Sequence, residues 1–152
     1  MGVQIPPTPP FIFIELNHFM VSDCVFCKIS DGRTKAHKVY ETKNFLAFLD
    51  IRPLNPGHTI VITKRHYRWV WSVPEIGEYF EVCKKIANAL MKSFKTEWIV
   101  SFILGEAVQH AHVHLLPRFE NDGHGLGINF DQTKSIYESE LKKLAEQIRK
   151  KL

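Results

Sequence analysis

Over residues 110–115, histidine alternates with small or apolar residues, which is the pattern of a β-strand with two different faces. The histidines are His110, His112 and His114, and the residues between them are Ala111, Val113 and Leu115. Because successive strand side chains point to opposite faces, the three imidazoles should share one face, about 6.5 to 7 Å apart. The apolar residues should pack on a core from the other face, and the strand is predicted over 110–117.

Four other segments are rich in β-branched and aromatic residues and are bounded by turn formers, which predicts further strands. They span 38–42, 45–50, 58–63 and 98–104. The segment 52–57 contains two prolines and a glycine and is predicted to be a loop. Gly105 is expected in the turn that joins the last two strands.

Apolar residues recur at spacings of three and four over 73–95, which predicts the longest helix of the chain. The apolar stripe consists of Ile76, Phe80, Cys83, Ala87, Leu90 and Phe94. Ser72 and Glu75 fit a capping box at the start of this helix. Cys83 is interpreted as a core residue, because a buried free cysteine behaves as a small apolar side chain.

A second helix is predicted over 135–152, with Ser135 and Glu138 as its capping box, and a short helical turn over 26–30. These elements predict an α+β fold, in which the long helix packs on an antiparallel β-sheet and a C-terminal helix follows. The length of 152 residues suits one domain. The predicted organisation is an N-terminal extension at 1–20, a main domain at 21–130 and an associated C-terminal helical segment at 131–152.

The first 20 residues have an unusual composition, with four prolines followed by an apolar tetrad, Phe11-Ile12-Phe13-Ile14. A secretory signal is not expected, because the segment has neither a basic leader nor a small-residue cleavage site. Met20 stands directly before the main domain. The segment is therefore either an upstream mis-called start or an extension peculiar to this protein, in which the tetrad adds an edge strand.

The net charge of +4 and the isoelectric point near 9.0 suit polyanionic ligands but are too mild to predict nucleic-acid binding. No apolar run approaches the roughly 18 to 20 residues of a membrane span. Three cysteines are an odd count, which argues against a disulfide framework and favours a cytoplasmic location with reduced thiols.

Two kinds of chemistry fit the histidine row. A neutral imidazole is a nucleophile at pH 7, so the row could attack phosphorus, and histidines at alternate strand positions could also share a zinc ion. Cys24 and Cys27 form a CxxC pair. This pair could hold zinc together with two further ligands, or it could be two free thiols.

Several motifs together make the chain similar to the histidine triad (HIT) nucleotide hydrolases and transferases, in particular to the Hint-like branch with a CxxC zinc site. The segment from His110 to Leu116 matches the family pattern His-φ-His-φ-His-φ-φ at every position, where φ is apolar. The resemblance covers about residues 21–130. The other matching segments are 23–29, 45–53, 56–62, 64–66 and 117–118.

The resemblance implies roles for individual residues. His112 would be the nucleophile that forms a nucleotidyl-histidine intermediate, and His114 and His58 would flank the phosphate. Asp50 would bind ribose hydroxyls and Gly105 would contact substrate. The apolar slot for the base would consist of Phe26, Ile29, Phe48 and Ile51.

The resemblance also implies a structural zinc ion, a purine nucleotide substrate of the AMP type and a homodimer. The zinc ligands would be Cys24, Cys27, His66 and His110. His110 would then serve structure rather than catalysis, and no catalytic metal is expected.

The segment before the triad departs from the family pattern. Many members have Gly-Gln-Ser there, whereas this chain has Gly105-Glu106-Ala107 and lacks the serine hydroxyl that contacts phosphate or the leaving group. The sequence predicts a nucleotide phosphoramidase that releases nucleoside monophosphate. The alternatives are a dinucleoside polyphosphate hydrolase and a non-catalytic zinc-containing module that binds purine nucleotides.

Overall fold

The computed structural model describes residues 23–152, and the N-terminal extension predicted at 1–20 lies outside them. The described residues form five strands, three α-helices and one short 3-10 helix at Val70–Ser72. The strands are β1 (Lys38–Glu41), β2 (Phe45–Leu49), β3 (Thr59–Thr63), β4 (Ile99–Phe102) and β5 (His112–Pro117). The α-helices are α1 (Val25–Ser30), α2 (Ile76–Phe94) and α3 (Glu138–Arg149).

All five strands join one antiparallel sheet in the order β1-β2-β3-β5-β4. The chain reaches β5, in the interior of the sheet, only after it has formed the edge strand β4. Because β3 and β4 both run antiparallel to β5, each of them ends near the N-terminal end of β5. The predicted α+β fold with an antiparallel sheet is confirmed.

The two faces of the sheet carry different residues. On one face, alternate positions of the central strands pack with α2 and α3 into the main core, and these positions include Ala47, Val61, Val113 and Leu115. The opposite face carries His112 and His114 and a smaller apolar cluster formed with α1. The predicted separation of apolar and histidine positions on β5 is thus confirmed from His112 onwards.

The long helix α2 is fixed to the sheet by a buried tyrosine. Tyr79 stacks on Phe45 with ring centroids 5.1 Å apart, and its hydroxyl donates a hydrogen bond to the carbonyl oxygen of Val61 (2.7 Å). Since β3 and β5 pair through Val61 and Val113, this contact ties the helix to the strands that hold the histidines. Within residues 23–152, no helix is long and apolar enough to cross a membrane.

Both predicted capping boxes are wrong. Ser72 ends the 3-10 helix, and the extended backbone of Val73 separates it from α2, whose N-cap is Glu75 without a side-chain cap hydrogen bond. Helix α3 likewise has Tyr137 as its N-cap, two residues after Ser135. In both cases the backbone turns into the helix later than the residue pattern indicates, so the serines are too early to cap it.

The strand predicted over 110–117 begins two residues later, at His112. The amide of His110 donates to the carbonyl oxygen of Val108 (2.9 Å), and that of Ala111 donates to Tyr67 (2.6 Å). These bonds hold the chain in a turn outside the ladder, so His110 does not lie in the same row as His112. The prediction that one strand carries all three imidazoles is therefore wrong for His110.

Candidate active site and metal centre

His112 and His114 project from β5 on the face of the sheet that also carries α1. In the β3–β5 ladder they lie opposite Ile62 and Ile60, and Phe102 of β4 lies opposite His114. The Phe102 ring stacks on the His114 ring at 4.5 Å with an interplanar angle of 7°. The register of three neighbouring strands therefore fixes the position of both histidines.

The hydrogen bonds of His112 define its tautomer. Its Nδ1 lies 2.6 Å from the carbonyl oxygen of His110, and because a carbonyl only accepts, Nδ1 carries the proton. The lone pair is consequently on Nε2. Burial lowers the pKa of His112 below its usual value, and the charge of Arg68 adds a smaller effect in the same direction. The ring is thus a neutral imidazole at pH 7, with its unprotonated nitrogen available as a nucleophile.

A second chain of hydrogen bonds orients His114. The amide of Leu54 donates to His58 Nδ1 (3.2 Å), so His58 carries its proton on Nε2 and donates it to His114 Nδ1, 3.0 Å away. His114 must then carry its own proton on Nε2. As a result, β5 presents two complementary groups: the Nε2 of His112, which can accept a hydrogen bond, and the Nε2–H of His114, which can donate one.

Burial lowers the pKa of His58 to about 4. Burial, together with the repulsion that a protonated His58 would exert, lowers the pKa of His114 to about 3. Both rings are therefore neutral at pH 7. Asp50 Oδ2 lies 3.7 Å from His58 Nδ1, a contact that is not an ion pair while the ring is neutral. These three side chains are close enough to share a metal ion, but the nitrogens between the two rings are already used by their mutual hydrogen bond.

The loop over 121–127, which looks like a simple connector in the sequence, supports this hydrogen-bond chain. Its His124 lies with Nε2 3.2 Å from the carbonyl oxygen of Leu54, the residue whose amide binds His58. The loop is anchored by Arg118, which is 1% exposed and donates to both carboxylate oxygens of Asp122 (2.6 and 3.1 Å). Arg118 keeps the pKa of Asp122 well below its usual range.

A cavity of about 260 Å³ opens beside His58 and His114. The sequence did not indicate several of its lining residues, because they come from distant segments. The lining includes Asp50, Arg52, Leu54, Phe102, Leu104, Phe130 and Thr133. At one wall, Asp50 accepts a hydrogen bond from the Arg52 amide (2.8 Å), which orients its carboxylate.

Three of the four residues predicted for the base slot lie together. Phe26, Ile29 and Phe48 are 7%, 7% and 4% exposed and belong to the small apolar cluster on the histidine face. The edge of the Phe26 ring contacts His112 at a centroid distance of 5.1 Å. Ile51 is separate from this cluster and is 73% exposed.

The structure brings Cys24, Cys27, His66 and His110 together, with their candidate ligand atoms all within 4.8 Å of one another. His110 Nδ1 lies 3.4 and 3.5 Å from the two Sγ atoms, and His66 Nδ1 lies 3.3 Å from Cys27 Sγ. In a tetrahedral zinc site, ordinary Zn–S and Zn–N bonds give an S···N edge of about 3.6 Å. The cluster therefore has the size that one tetrahedral ion requires.

The protonation chemistry of this cluster also fits a cation. The other ring nitrogen of His110, Nε2, donates to the carbonyl oxygen of Thr63 (2.7 Å), which leaves the Nδ1 lone pair facing the thiols. Burial, with the neighbouring Cys24, raises the pKa of Cys27 to about 12. A bound cation would offset that effect, because it stabilises the thiolate. This cluster can therefore hold a metal ion.

Arg68 and Gly105 connect two loops next to the triad. Arg68 Nη1 donates to the carbonyl oxygen of Gly105 (2.8 Å), and Gly105 has a φ of +73°. Beyond Gly105, Glu106 and Ala107 are exposed. No hydroxyl group occupies this position, as the departure from the family pattern implies.

These features define a class of protein in which one antiparallel sheet presents a pair of neutral histidines oriented by hydrogen bonds, and a Cys2His2 cluster lies beside them. The chain belongs to the HIT family, because the HIT domain model matches residues 31–121. It is 39% identical over 119 residues to an uncharacterized HIT-like protein of Methanocaldococcus jannaschii, a match that covers 74% of this chain and 91% of the relative.

Two further similarities bear on the site. The chain is 32% identical to a protein of Schizosaccharomyces pombe named adenosine 5′-monophosphoramidase, over 85% of this chain and 98% of the relative. It also resembles the crystal structure of a zinc-bound histidine triad family protein from Mycobacterium smegmatis. That match has a TM-score of 0.69 and 30% identity and covers 86% of this chain and 94% of the other.

The lowered pKa of His58 predicts a stability loss at mildly acidic pH. An unfolded histidine titrates near 6.5, whereas His58 in the fold titrates at about 4, so between these values the unfolded chain binds more protons. The free energy of unfolding should therefore fall as the pH drops below 6.5 and level off near 4. In urea denaturation between pH 7.5 and 5, the variant His58→Gln should show a slope smaller by up to about 1.4 kcal/mol per pH unit. Wild type and variant are compared at equal metal content, and equal slopes would contradict this assignment.

Proposed function

We propose that this protein is a hydrolase that cleaves AMP-type substrates at the α-phosphate and releases nucleoside monophosphate through a nucleotidyl-histidine intermediate. The observation that carries the proposal is the 2.6 Å hydrogen bond from His112 Nδ1 to the carbonyl oxygen of His110. This bond leaves the Nε2 lone pair of a neutral ring free for attack, which is what covalent catalysis at pH 7 requires. The name of the similar yeast protein, an adenosine 5′-monophosphoramidase, supports the same reaction class.

The reaction has two balanced steps. His112 Nε2 forms a bond to phosphorus while the P–N bond of a phosphoramidate breaks, and the nitrogen takes a proton from solvent and leaves as ammonia. The ring becomes cationic, and the His110 carbonyl stabilises it by accepting the Nδ1–H bond. Water then attacks phosphorus and loses one proton to solvent, the P–Nε2 bond breaks with its electron pair returning to Nε2, and AMP leaves with the ring neutral again.

The flanking residues have separate roles in this proposal. His114 donates its Nε2–H to a phosphate oxygen as negative charge develops there, and His58 maintains the tautomer of His114 that makes this donation available. Asp50 accepts hydrogen bonds from ribose hydroxyls, and Gly105 borders the phosphate. The base lies against Phe26, Ile29, Phe48 and Ile51.

The proposal predicts that His112→Ala releases AMP from adenosine 5′-phosphoramidate at least about 10³-fold more slowly than wild type, since nothing else in the site offers an equivalent lone pair. His114→Ala should lower kcat with a smaller effect on KM. The measurement is AMP release followed by chromatography. A matched control is His37→Ala, whose side chain lies outside the site.

Activity of His112→Ala close to that of wild type, with an intact fold by circular dichroism, would contradict the covalent mechanism. Nucleotide binding without turnover in the wild-type protein would instead favour the non-catalytic binding module. Trapping of a phosphorus-bound histidine by rapid acid quench and mass spectrometry would support the intermediate directly.

We also propose that the Cys2His2 cluster binds zinc as a structural ion. Two thiolates and two neutral imidazoles are the donor set that zinc prefers in structural sites, and reduced thiolates suit a cytoplasmic location. The zinc-bound mycobacterial relative is consistent with this choice of metal. When bound, the ion would hold α1 against the loop before β5.

We expect one zinc ion per chain in the full-length protein, measured by inductively coupled plasma mass spectrometry. Cys27→Ser should lose the ion and lower the melting temperature, because the cluster would lose one of its four ligands. Cys83→Ala is the matched control, since Cys83 is a residue of α2 that faces the main core, and its substitution should leave the zinc content unchanged. Equal zinc content in Cys27→Ser and wild type would exclude this site.

We propose further that the protein is a homodimer that uses the face formed by α2 and the edge strand β4. Phe80 of α2 is 41% exposed, and it borders a surface pocket together with Ile99 and Ser101 of β4 on this face. A strand at the edge of a sheet has unpaired backbone groups, and a two-fold axis lets the same face cover itself.

Phe80→Glu should shift the protein from dimer to monomer in size-exclusion chromatography with light scattering, because it introduces a charge on this apolar face. Leu126→Glu is the control, since Leu126 is fully exposed on the loop after β5. A wild-type protein that is monomeric at all concentrations tested would overturn the proposed dimer.

A further inference from the structure

Two loops, one after β3 and one after β4, meet beside the proposed nucleophile His112. The first runs next to the start of β5, because the Ala111 amide donates to the carbonyl oxygen of Tyr67 (2.6 Å). In the next residue, Arg68 Nη1 donates to the carbonyl oxygen of Gly105 in the second loop (2.8 Å). Arg68 therefore joins the two loops at the edge of the triad.

The guanidinium group of Arg68 is held in place by packing as well as by this bond. Its Cζ atom lies 3.8 Å from the ring centroid of Trp69. A Cβ atom at position 105 would lie 2.8 Å from Trp69 Cζ3 and 3.3 Å from Arg68 Nη1, so only glycine lets the pair approach this closely. The loop, the indole and the guanidinium form one packed unit with a fixed cation.

The positive charge of Arg68 is not neutralised within residues 23–152, where none of the ion pairs includes it. The exposed carboxylate of Glu106 follows Gly105 directly in the sequence but does not pair with Arg68. A guanidinium has five N–H donors, and in the described part of the chain only Nη1 makes a hydrogen bond. Ala107, next in the loop, offers no polar side chain. Arg68 is thus the group on this side that can bind an anion.

We propose that Arg68 is a specificity-determining residue on the leaving-group side of the site, and that it selects substrates whose leaving group carries a negative charge. The inference rests on the proposed function, since only displacement at the α-phosphate produces a leaving group. The base and ribose are proposed to lie against α1, β2 and Asp50. Arg68 and Gly105 belong neither to the apolar cluster there nor to the lining of the cavity beside His58, and we therefore assign them to the leaving-group side of His112. The leaving group departs with the electron pair of its bond to phosphorus. An amine takes a proton from solvent as it leaves, a polyphosphate leaves as the anion, and Arg68 binds the negative charge without transferring a proton.

Charge-assisted hydrogen bonds from arginine favour carboxylate and phosphate oxygens because the planar guanidinium matches their geometry. Two leaving groups share this chemistry, namely an amine that carries a carboxylate and a polyphosphate. A neutral amine leaving group makes no charge-assisted hydrogen bond with Arg68 and therefore gains little from it. Arg68 should therefore distinguish charged from uncharged leaving groups rather than one base from another.

The test compares two adenosine 5′-phosphoramidates that differ only in charge, one of 3-aminopropionic acid and one of its methyl ester. Wild type should prefer the acid in kcat/KM. Arg68→Met should lower kcat/KM for the acid about tenfold or more while changing it less than about twofold for the ester, and Arg68→Lys should keep most of the preference. Arg65→Met is the matched control, because Arg65 is exposed in the same loop and lies over Tyr67 instead. Diadenosine tetraphosphate as a third substrate distinguishes a polyphosphate from a carboxylate leaving group.

An equal loss for acid and ester in Arg68→Met would overturn the proposal, since it would mean that Arg68 only holds the loops together. A wild-type preference for the ester would overturn it as well. If wild type cleaves neither compound, the proposed function fails. The affinities of the same two compounds for wild type and Arg68→Met, measured by calorimetry, then test whether Arg68 binds an anion. A charge-dependent affinity that Arg68→Met removes would support the anion site, and equal affinities would overturn it.

Discussion

The hydrogen bonds of His110 are the constraint on which both halves of the site depend. Its ring Nδ1 faces the thiols of Cys24 and Cys27 in the candidate metal cluster, its Nε2–H binds the carbonyl oxygen of Thr63 at the end of β3, and its own carbonyl orients His112. These three contacts require the backbone to leave the ladder before His112. His110 is therefore a structural residue, and the position of its carbonyl group determines which ring nitrogen of His112 is free.

The sheet keeps the histidines neutral by burying them. One face of β5 anchors the strand in the main core through Val113 and Leu115, which leaves the other face to present His112 and His114 under α1 and Phe102. Burial disfavours the imidazolium form, so both rings stay neutral where a free histidine would be partly protonated. The Nδ1–H of His112 and the Nε2–H of His58 both have acceptors in the site, so burial does not leave them unpaired, whereas among the described residues no acceptor binds the Nε2–H of His114.

Periodicity along the chain was sufficient to predict the sheet, the long helix and the two faces of β5, because these depend on alternation within one segment. It was insufficient wherever a contact joins distant segments. The loop over 121–127 looks like a connector, yet its His124 contacts Leu54, and that residue's amide fixes the tautomer of His58. The serines that fit capping boxes failed for a related reason, since packing of the preceding chain decides where the backbone enters a helix.

The two sides of the site are built differently, and this difference bears on how such a site can change. His112, the proposed nucleophile, is oriented by a backbone carbonyl, which every residue at position 110 would supply, although only histidine also brings a ring nitrogen to the candidate metal cluster. The proposed leaving-group side is built from side chains on loops, where Arg68 packs on Gly105 and Trp69. Substitutions on these loops would alter the charge beside His112 without changing the register of β5. Under the proposed function, this architecture therefore favours a constant nucleophile with a variable leaving-group side, because the strand register fixes His112 whereas Arg68 and Gly105 lie outside the strands.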